Sequence, residues 1–167
     1  EMATRLEAAR CLVASVADRY DRNDPQAPTY ASMAKLHATD LGMQVTLFQP
    51  FRDLEGMPEG QRARAFDRME RKFDVMAELG TDLVLLCSNC SPQSLPDRPR
   101  MVDDLCELGE RAARRHLRVG YEALAWGRHI NDHRDSWSLV RDVDHPAIGL
   151  ILDSFHSLVR KVPSASI

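Results

Sequence analysis

The sequence lacks an excess of basic residues, a long apolar run and a dense set of cysteines. Its net charge is −3 over 167 residues, which gives no electrostatic basis for binding nucleic acid or an anionic membrane. The longest apolar run, Leu83–Cys87, is far shorter than the roughly 20 residues of a membrane-spanning helix. The opening EMATRLEAAR lacks the apolar core of a signal peptide. We therefore expect a cytoplasmic protein with no nucleic-acid or membrane partner.

Four cysteines in a chain of this length are too few for a disulfide scaffold. Two of them, Cys87 and Cys90, form a C-x-x-C pair, which is the spacing of a redox pair or of half a zinc site. No second Cys/His pair at zinc spacing accompanies it, and the surrounding sequence is not thioredoxin-like. The pattern therefore favours two small residues at the end of a strand.

Apolar segments alternate with helical patterns along the chain. The segments are rich in Val, Leu and Ile and barely alternate between apolar and polar residues, which is typical of strands buried on both faces of a parallel sheet. The predicted strands are Met43–Gln49, Asp82–Ser88, Arg118–Leu124 and Ile148–Ser154. Apolar residues at helical spacing predict helices at Ala3–Tyr20, Thr29–Leu41, Gln61–Leu79, Pro99–Arg115 and Asp132–Val143.

This repeated order predicts an α/β fold, because right-handed crossovers place successive parallel strands side by side. An open doubly wound sheet and a (β/α)8 TIM barrel both fit the order. No predicted strand is followed by a G-x-G-x-x-G or P-loop motif, which weakens the nucleotide-binding sheet. A closed barrel usually needs about 200 residues or more. We therefore predict a partial (β/α)8 barrel with about four parallel strands and flanking helices.

Acidic residues close the last two predicted strands. Glu122 and Asp153 occupy these positions, and His156 follows. Because the ends of neighbouring parallel strands meet at one edge, the two acids would face one space. Carboxylate oxygens suit a hard divalent cation such as Mg²⁺ or Mn²⁺, and the imidazole could act as a general acid or base. The alternative is that Glu122 is an N-cap-like or salt-bridged rim residue and that Asp153 caps the next turn.

Other polar side chains follow the first two predicted strands. Arg52 carries a planar guanidinium, which can bind a substrate carboxylate through two hydrogen bonds. Gln49 and Asn89 carry amides that can bond hydroxyl groups. These residue types favour a small polar substrate.

Longer segments of the chain resemble the bacterial 3-dehydroshikimate dehydratases of the sugar-phosphate isomerase/epimerase, or xylose isomerase-like, barrel superfamily. These segments are Leu47–Gly56, Asp67–Asn89, Gly120–Asn131 and His145–Leu158. The strings YEALAWGRH and LILDSFHSL are the most specific. The resemblance covers about residues 29–158. Some members of this family also carry a C-terminal domain similar to 4-hydroxyphenylpyruvate dioxygenase.

The resemblance implies a (β/α)8 barrel that binds one divalent metal ion, namely Mg²⁺, Mn²⁺ or Co²⁺. It implies removal of water from 3-dehydroshikimate to give protocatechuate, a step in quinate and shikimate breakdown. Glu122 and Asp153 match metal ligands of the family, and His156 matches a histidine expected to act as acid or base. The positions that match substrate-contacting rim residues are Arg52, Gln49, Asn89 and His129.

The resemblance fails at both ends of the chain. Residues 1–27 read as a polar helical segment where the family has a strand, and the family's further metal ligands lie on later strands. We therefore predict a divergent helical segment at 1–27, a partial barrel at 28–158 and an irregular tail at 159–167. We expect a partial or altered form of a longer protein, which binds metal weakly, is inactive alone and can self-associate through open sheet edges.

Two other functions stay open at this point. One is a sugar-phosphate isomerase or epimerase on the same barrel, for which 3-dehydroshikimate would be the wrong substrate. The other is a truncated βα module without catalytic activity.

Overall fold

The computed structural model of this chain describes residues 2–22 and 24–166. Its α-helices are α1 (Met2–Asp21), α2 (Ala27–Asp40), α3 (Glu59–Leu79), α4 (Arg98–Arg114), α5 (His133–Val143) and α6 (Ser154–Val159). Its strands are β1 (Phe48–Phe51), β2 (Leu83–Cys87), β3 (Arg118–Glu122) and β4 (Ile148–Leu150). A short 3₁₀ helix spans Ser164–Ser166. Within the described residues, no helix has the length and apolarity needed to cross a bilayer.

The chain divides into two compact parts. The helical part comprises Glu1–Phe48 and Asp67–Asp82, and the sheet part comprises Gln49–Phe66 and Leu83–Ile167. In the helical part α1 packs against α2. The buried residues of α2 are all small, which allows a close approach of the helix backbone; they are Ala27, Ala31, Ala34 and Ala38. Gly80 follows α3 with a φ of 72°, a left-handed conformation that favours glycine at a helix end.

The sheet part contains a parallel sheet in the order β1-β2-β3-β4. β2 pairs in parallel with β3 in the register Val84↔Val119, and β3 pairs in parallel with β4 in the register Val119↔Ile148. The central strands are buried on both sides, as their continuous apolar sequences predicted. Helices α4 and α5 contact β3 and β4. The predicted α/β architecture, with about four parallel strands of a partial barrel, is therefore confirmed.

The first strand lies further along the chain than predicted. The segment Met43–Gln49 was expected to be the strand, but β1 begins at Phe48 and runs through Pro50 to Phe51. Residues 43–47 are exposed or half-buried, so they do not form the continuous buried strand that their apolar letters suggested. Proline cannot donate a ladder hydrogen bond, but it is tolerated in an edge strand such as β1.

The last strand is shorter than predicted. β4 ends at Leu150, so Asp153 lies beyond the strand, and Ser154 belongs to α6. The helix predicted at Ala3–Tyr20 is confirmed by α1. The division of the chain at residues 27 and 158 stays a prediction.

Candidate metal centre

Three side chains with metal-binding groups converge at the ends of β3 and β4. Glu122 is the last residue of β3, Asp153 immediately precedes α6, and His156 lies in that helix. Each offers one ligand atom, and these atoms lie within 4.8 Å of one another. Among residues 2–22 and 24–166, these three form the one group of at least three His, Cys, Asp or Glu side chains that could hold a metal ion. The structure thus brings together the two predicted metal ligands and the predicted acid or base.

Glu122 is a buried acid with few direct partners. Its side chain is only 8% exposed. Its Oε2 accepts a weak hydrogen bond from Cys87 Sγ at 3.6 Å and lies 4.0 Å from His156 Nε2. Burial raises the pKa of the Glu122 carboxyl above its usual range, and the negative charge of Asp153 adds to the effect, whereas His156 and Cys87 lower it. A bound cation would reverse the balance, since it favours the ionised carboxylate.

Asp153 is exposed and caps α6. Its Oδ1 accepts a hydrogen bond from the backbone N–H of Phe155 at 2.8 Å, as a residue at the N-terminus of a helix commonly does. The alternative that Asp153 caps the next turn is therefore confirmed. The same carboxylate also takes part in the cluster with Glu122 and His156.

His156 is buried and held from several sides. Its Nδ1 accepts a hydrogen bond from the backbone N–H of Ala125 at 3.1 Å. The rings of Trp126 and Phe155 meet the imidazole edge-on, with centroid distances of 5.0 Å and 5.2 Å. Neither Ala125 nor the two aromatic residues was predicted to belong to the site. The string YEALAWGRH contained two of them, but nothing in their order pointed to the imidazole.

The donor groups of this cluster fit a divalent cation. Two carboxylates offer hard oxygen ligands, and an imidazole suits several transition metals. Cys87 lies beside this cluster, and burial together with the neighbouring Glu122 raises the pKa of its thiol to about 12. Cys90 contacts a different group, the carbonyl oxygen of Ser88 at 3.5 Å. The two thiols of the C-x-x-C pair thus have separate partners, and neither belongs to the cluster of potential metal ligands among the described residues.

The predicted substrate-contacting residues lie in different environments. Arg52 is exposed, and its positive charge lowers the pKa of both Glu122 and Cys87, so it lies near the cluster. Gln49 is exposed in β1. His129 is half-buried, and its Nε2 lies 3.0 Å from the carbonyl oxygen of Ser94.

Asn89 is buried and bonded within the protein. Its Nδ2 donates to the carbonyl oxygen of Glu55 at 2.6 Å, and its Oδ1 accepts from the N–H of Ser91 at 2.8 Å. Its own backbone N–H donates to Glu55 Oε1 at 2.7 Å. The amide that was predicted to bond a substrate hydroxyl is thus engaged in holding the segments that follow β1 and β2.

Glu55 is a second buried acid that the sequence did not single out. Its Oε1 also accepts from the hydroxyl of Tyr121 at 2.8 Å. Burial raises the pKa of the Glu55 carboxyl to about 7, although the hydrogen bonds from Tyr121 and Asn89 lower it. The carboxyl links the segments after β1 and β2 to β3.

Two bacterial proteins with the name 3-dehydroshikimate dehydratase are similar to most of the chain. The Pseudomonas putida protein is 60% identical over 122 residues, which cover 73% of this chain and 19% of the relative. The Pseudomonas aeruginosa protein is 56% identical over 119 residues, which cover 71% of this chain and 19% of the relative. The chain thus spans about a fifth of the length of these relatives.

A solved structure supports the same relationship. It is a xylose isomerase-like TIM barrel/4-hydroxyphenylpyruvate dioxygenase fusion protein, with a TM-score of 0.77 and 56% identity. The match covers 78% of this chain and 21% of the fusion protein. A family model described as xylose isomerase-like TIM barrel matches residues 11–164. The chain therefore belongs to the xylose isomerase-like TIM barrel family.

Proposed function

We propose that this chain carries part of a metal-dependent site that eliminates water from 3-dehydroshikimate to give protocatechuate. The convergence of Glu122, Asp153 and His156 within 4.8 Å is the observation that carries the proposal. The names of the relatives at 56–60% identity supply the substrate. The chain covers 19% of those relatives. The proposal therefore concerns a site whose ligand set would be completed by other residues of a full-length protein.

Glu122 and Asp153 would hold the cation, with Mg²⁺, Mn²⁺ and Co²⁺ as the candidates. When bound, such an ion supplies positive charge that stabilises negative charge on a substrate oxygen. The Glu122 carboxylate gains most from the ion, because burial and Asp153 disfavour its ionised form in the free site. The hydrogen bond from the N–H of Phe155 leaves Asp153 with its second oxygen, Oδ2, for the ion.

The remaining predicted residues would bind and orient the substrate. Arg52 is exposed near Glu122, and its guanidinium can bind the carboxylate of 3-dehydroshikimate through two hydrogen bonds. Gln49 and His129 would contact hydroxyl groups at the rim. Asn89 would act indirectly, since its amide already bonds Glu55 and Ser91.

Titration of Mn²⁺ into the 167-residue chain tests the metal site. We expect a single binding event whose affinity falls at least about tenfold, or 1.4 kcal/mol, in Glu122→Gln and in Asp153→Asn. Glu59→Gln is the matched control, because the Glu59 side chain is 81% exposed. Equal affinities in all four proteins would remove Glu122 and Asp153 from the proposed ligand set.

The reaction is tested by adding 3-dehydroshikimate and Mn²⁺ to the Pseudomonas putida relative and following the ultraviolet absorbance of protocatechuate. The same substitutions, placed at the aligned positions of the Pseudomonas putida relative, should abolish product formation there. Epimerisation of a ketose without protocatechuate would favour the isomerase or epimerase alternative. Retention of full turnover by either variant of the relative would contradict the proposed roles.

A further inference from the structure

We propose that the backbone amide of Ala125 holds His156 with a hydrogen on Nε2, so that this imidazole serves the site as a hydrogen-bond donor rather than as a metal ligand or a base. The part that concerns the role of His156 rests on the proposed function. The position of the hydrogen does not, because it follows from the contacts of the ring.

The turn that carries Ala125 is firmly placed. The N–H of Gly127 donates to the carbonyl oxygen of Leu124 at 2.8 Å, which closes a turn over these four residues. The N–H of Leu124 donates to the buried Ser88 Oγ at 3.0 Å, so the turn is tied to the end of β2. A Cβ on Gly127 would overlap both Ser88 Oγ and the carbonyl oxygen of Ile130. Only glycine fits this close approach.

Ala125 is the second residue of this turn, and its N–H is not used by the turn's own hydrogen bond. It donates instead to His156 Nδ1 at 3.1 Å. A backbone N–H can only donate, so Nδ1 must present its lone pair and carry no hydrogen. A neutral imidazole has one N–H, which must therefore be on Nε2.

The ring orientation is supported by its surroundings. A ring turned by 180° would place a carbon atom against Ala125 and leave a part-buried N–H without its acceptor, which costs free energy. Trp126 and Phe155 also confine the imidazole, with interplanar angles of 71° and 78°. The backbone N–H of Ala125 is thus the contact that selects the orientation of the ring.

The consequence lies at the other side of the ring. Nε2 faces Glu122 Oε2 at 4.0 Å, in the space shared with Asp153. A nitrogen that carries hydrogen has no lone pair in the ring plane for a metal ion, and it cannot take a proton from a substrate C–H. It can donate a hydrogen bond to a substrate oxygen on which negative charge develops. No proton is transferred in this role, so His156 is unchanged after each turnover.

Nitrogen-15 NMR of histidine-labelled chain tests the position of the hydrogen. At about pH 8, where an ordinary imidazole is neutral, the spectrum of the chain minus that of His156→Gln identifies the resonances of His156. We expect Nδ1 at the unprotonated position and Nε2 at the protonated position. The reverse assignment, or equal averaging of the two nitrogens, would overturn the proposal.

Substitutions at Ala125 test the cause. Ala125→Pro removes the donor N–H, and the two His156 resonances should move toward each other. Ala125→Gly retains the N–H and should leave them in place. If Ala125→Pro does not fold, the assignment in the unsubstituted chain and in Ala125→Gly decides the question. Averaging in Ala125→Gly to the same extent as in Ala125→Pro would show that the amide is not the cause.

Metal affinity separates a donor from a ligand. His156→Gln should weaken Mn²⁺ binding less than about threefold, whereas Glu122→Gln should weaken it at least about tenfold. A loss of tenfold or more in His156→Gln would make the imidazole a ligand and contradict the proposal. If the chain binds no Mn²⁺, the proposed metal site fails, while the NMR assignment still decides where His156 carries its hydrogen.

Discussion

A buried acid lies on each face of β3, but the two acids have different hydrogen-bond partners. Neighbouring residues of a strand point to opposite faces, so Tyr121 and Glu122 address different sides of the sheet. On the Tyr121 side, Glu55 Oε1 accepts hydrogen bonds of 2.8 Å and 2.7 Å from Tyr121 and Asn89. On the other side, Glu122 has a weak thiol contact at 3.6 Å and an imidazole at 4.0 Å.

The difference shows what distinguishes a structural acid from a candidate ligand. Glu55 is hydrogen-bonded to groups at neighbouring strand ends. Burial raises the pKa of its carboxyl to about 7. Glu122 instead lies beside a second acid and an imidazole, and one polar atom of each lies within 4.8 Å of the others. Burial alone does not identify a functional acid, since both side chains are almost fully buried. The groups around the carboxyl distinguish a structural acid from a candidate ligand.

The largest effect that would sharpen this contrast is expected from Glu55→Ala. The hydroxyl of Tyr121 and the N–H of Asn89 would lose their acceptor inside the protein, and a cavity would form. We expect the free energy of unfolding to fall by about 3 kcal/mol in urea denaturation. Glu59→Ala, on an exposed side chain, should change it by less than about 1 kcal/mol. Equal losses in the two variants would deny Glu55 its structural role.

Ionisation of Glu55 should make the stability of the chain depend on pH. The pKa of Glu55 is raised from 4.5 to about 7, so the folded chain binds more protons than the unfolded chain between these values. Stability should therefore fall as the pH rises from 5 to 8, by about 2 kcal/mol from this group. Glu55→Gln cannot ionise and should lose that slope. Chemical denaturation at several pH values measures the slope of stability against pH in the two proteins. Parallel slopes would show that Glu55 ionises normally.

The sequence was informative wherever a residue type and its strand position were enough. β2 and β3 lie within the predicted segments, because continuous Val and Leu in a central strand have few alternatives. Glu122 and Asp153 were recognised from their places at the ends of the predicted third and fourth strands. For Asp153 both interpretations hold, since one oxygen caps α6 and the carboxylate still reaches the cluster.

The sequence was uninformative wherever a partner lies far along the chain. Glu55 is separated by 34 residues from Asn89 and by 66 from Tyr121, and no periodicity links these positions. The same holds for the backbone N–H of Ala125, which lies 31 residues from His156 and has no side-chain letter to reveal it. The error at β1 has a different origin, because Pro50 is tolerated only through the edge position of the strand.

Asp132 offers a third buried acid, whose partners are cationic or backbone donors. It caps α5 by accepting from the N–H of Arg134 at 2.8 Å, and its Oδ2 accepts from the Arg134 guanidinium at 2.7 Å. The hydrogen bond from the Arg134 side chain is the main cause that lowers the pKa of Asp132 to about 2. Because the folded pKa is depressed, this contribution to stability is present above about pH 4 and is lost as the pH falls toward 2.

Asp132→Ala should lower the free energy of unfolding by about 1 kcal/mol at pH 7 through loss of the cap. The loss should shrink at pH 2, where the carboxyl of the unsubstituted chain is partly protonated, and denaturation at the two pH values measures it. Asp135→Ala is a control on the same helix, since Asp135 is exposed. A larger loss at pH 2 than at pH 7 would contradict the assignment of the low pKa to this cap.

The smallest effect on the metal-free chain, and the one with the opposite sign, is expected from Glu122→Gln. Burial and Asp153 disfavour the ionised form of Glu122, so a neutral amide of the same shape should raise the free energy of unfolding by less than about 1 kcal/mol at pH 7. Functional acids commonly carry such a cost, whereas Glu55→Ala is expected to destabilise.

Addition of Mn²⁺ should reverse the order of the two proteins. A ligand that binds only the folded state stabilises it by about 1.4 kcal/mol at ten times its Kd. The unsubstituted chain would gain that amount, while Glu122→Gln, with its weaker site, would gain little at the same concentration. Unfolding curves recorded with and without Mn²⁺ should therefore cross over between the proteins. If Glu122→Gln were destabilising without metal and no less responsive to it, Glu122 would be a structural acid like Glu55, and the two faces of β3 would not differ in the way their contacts indicate.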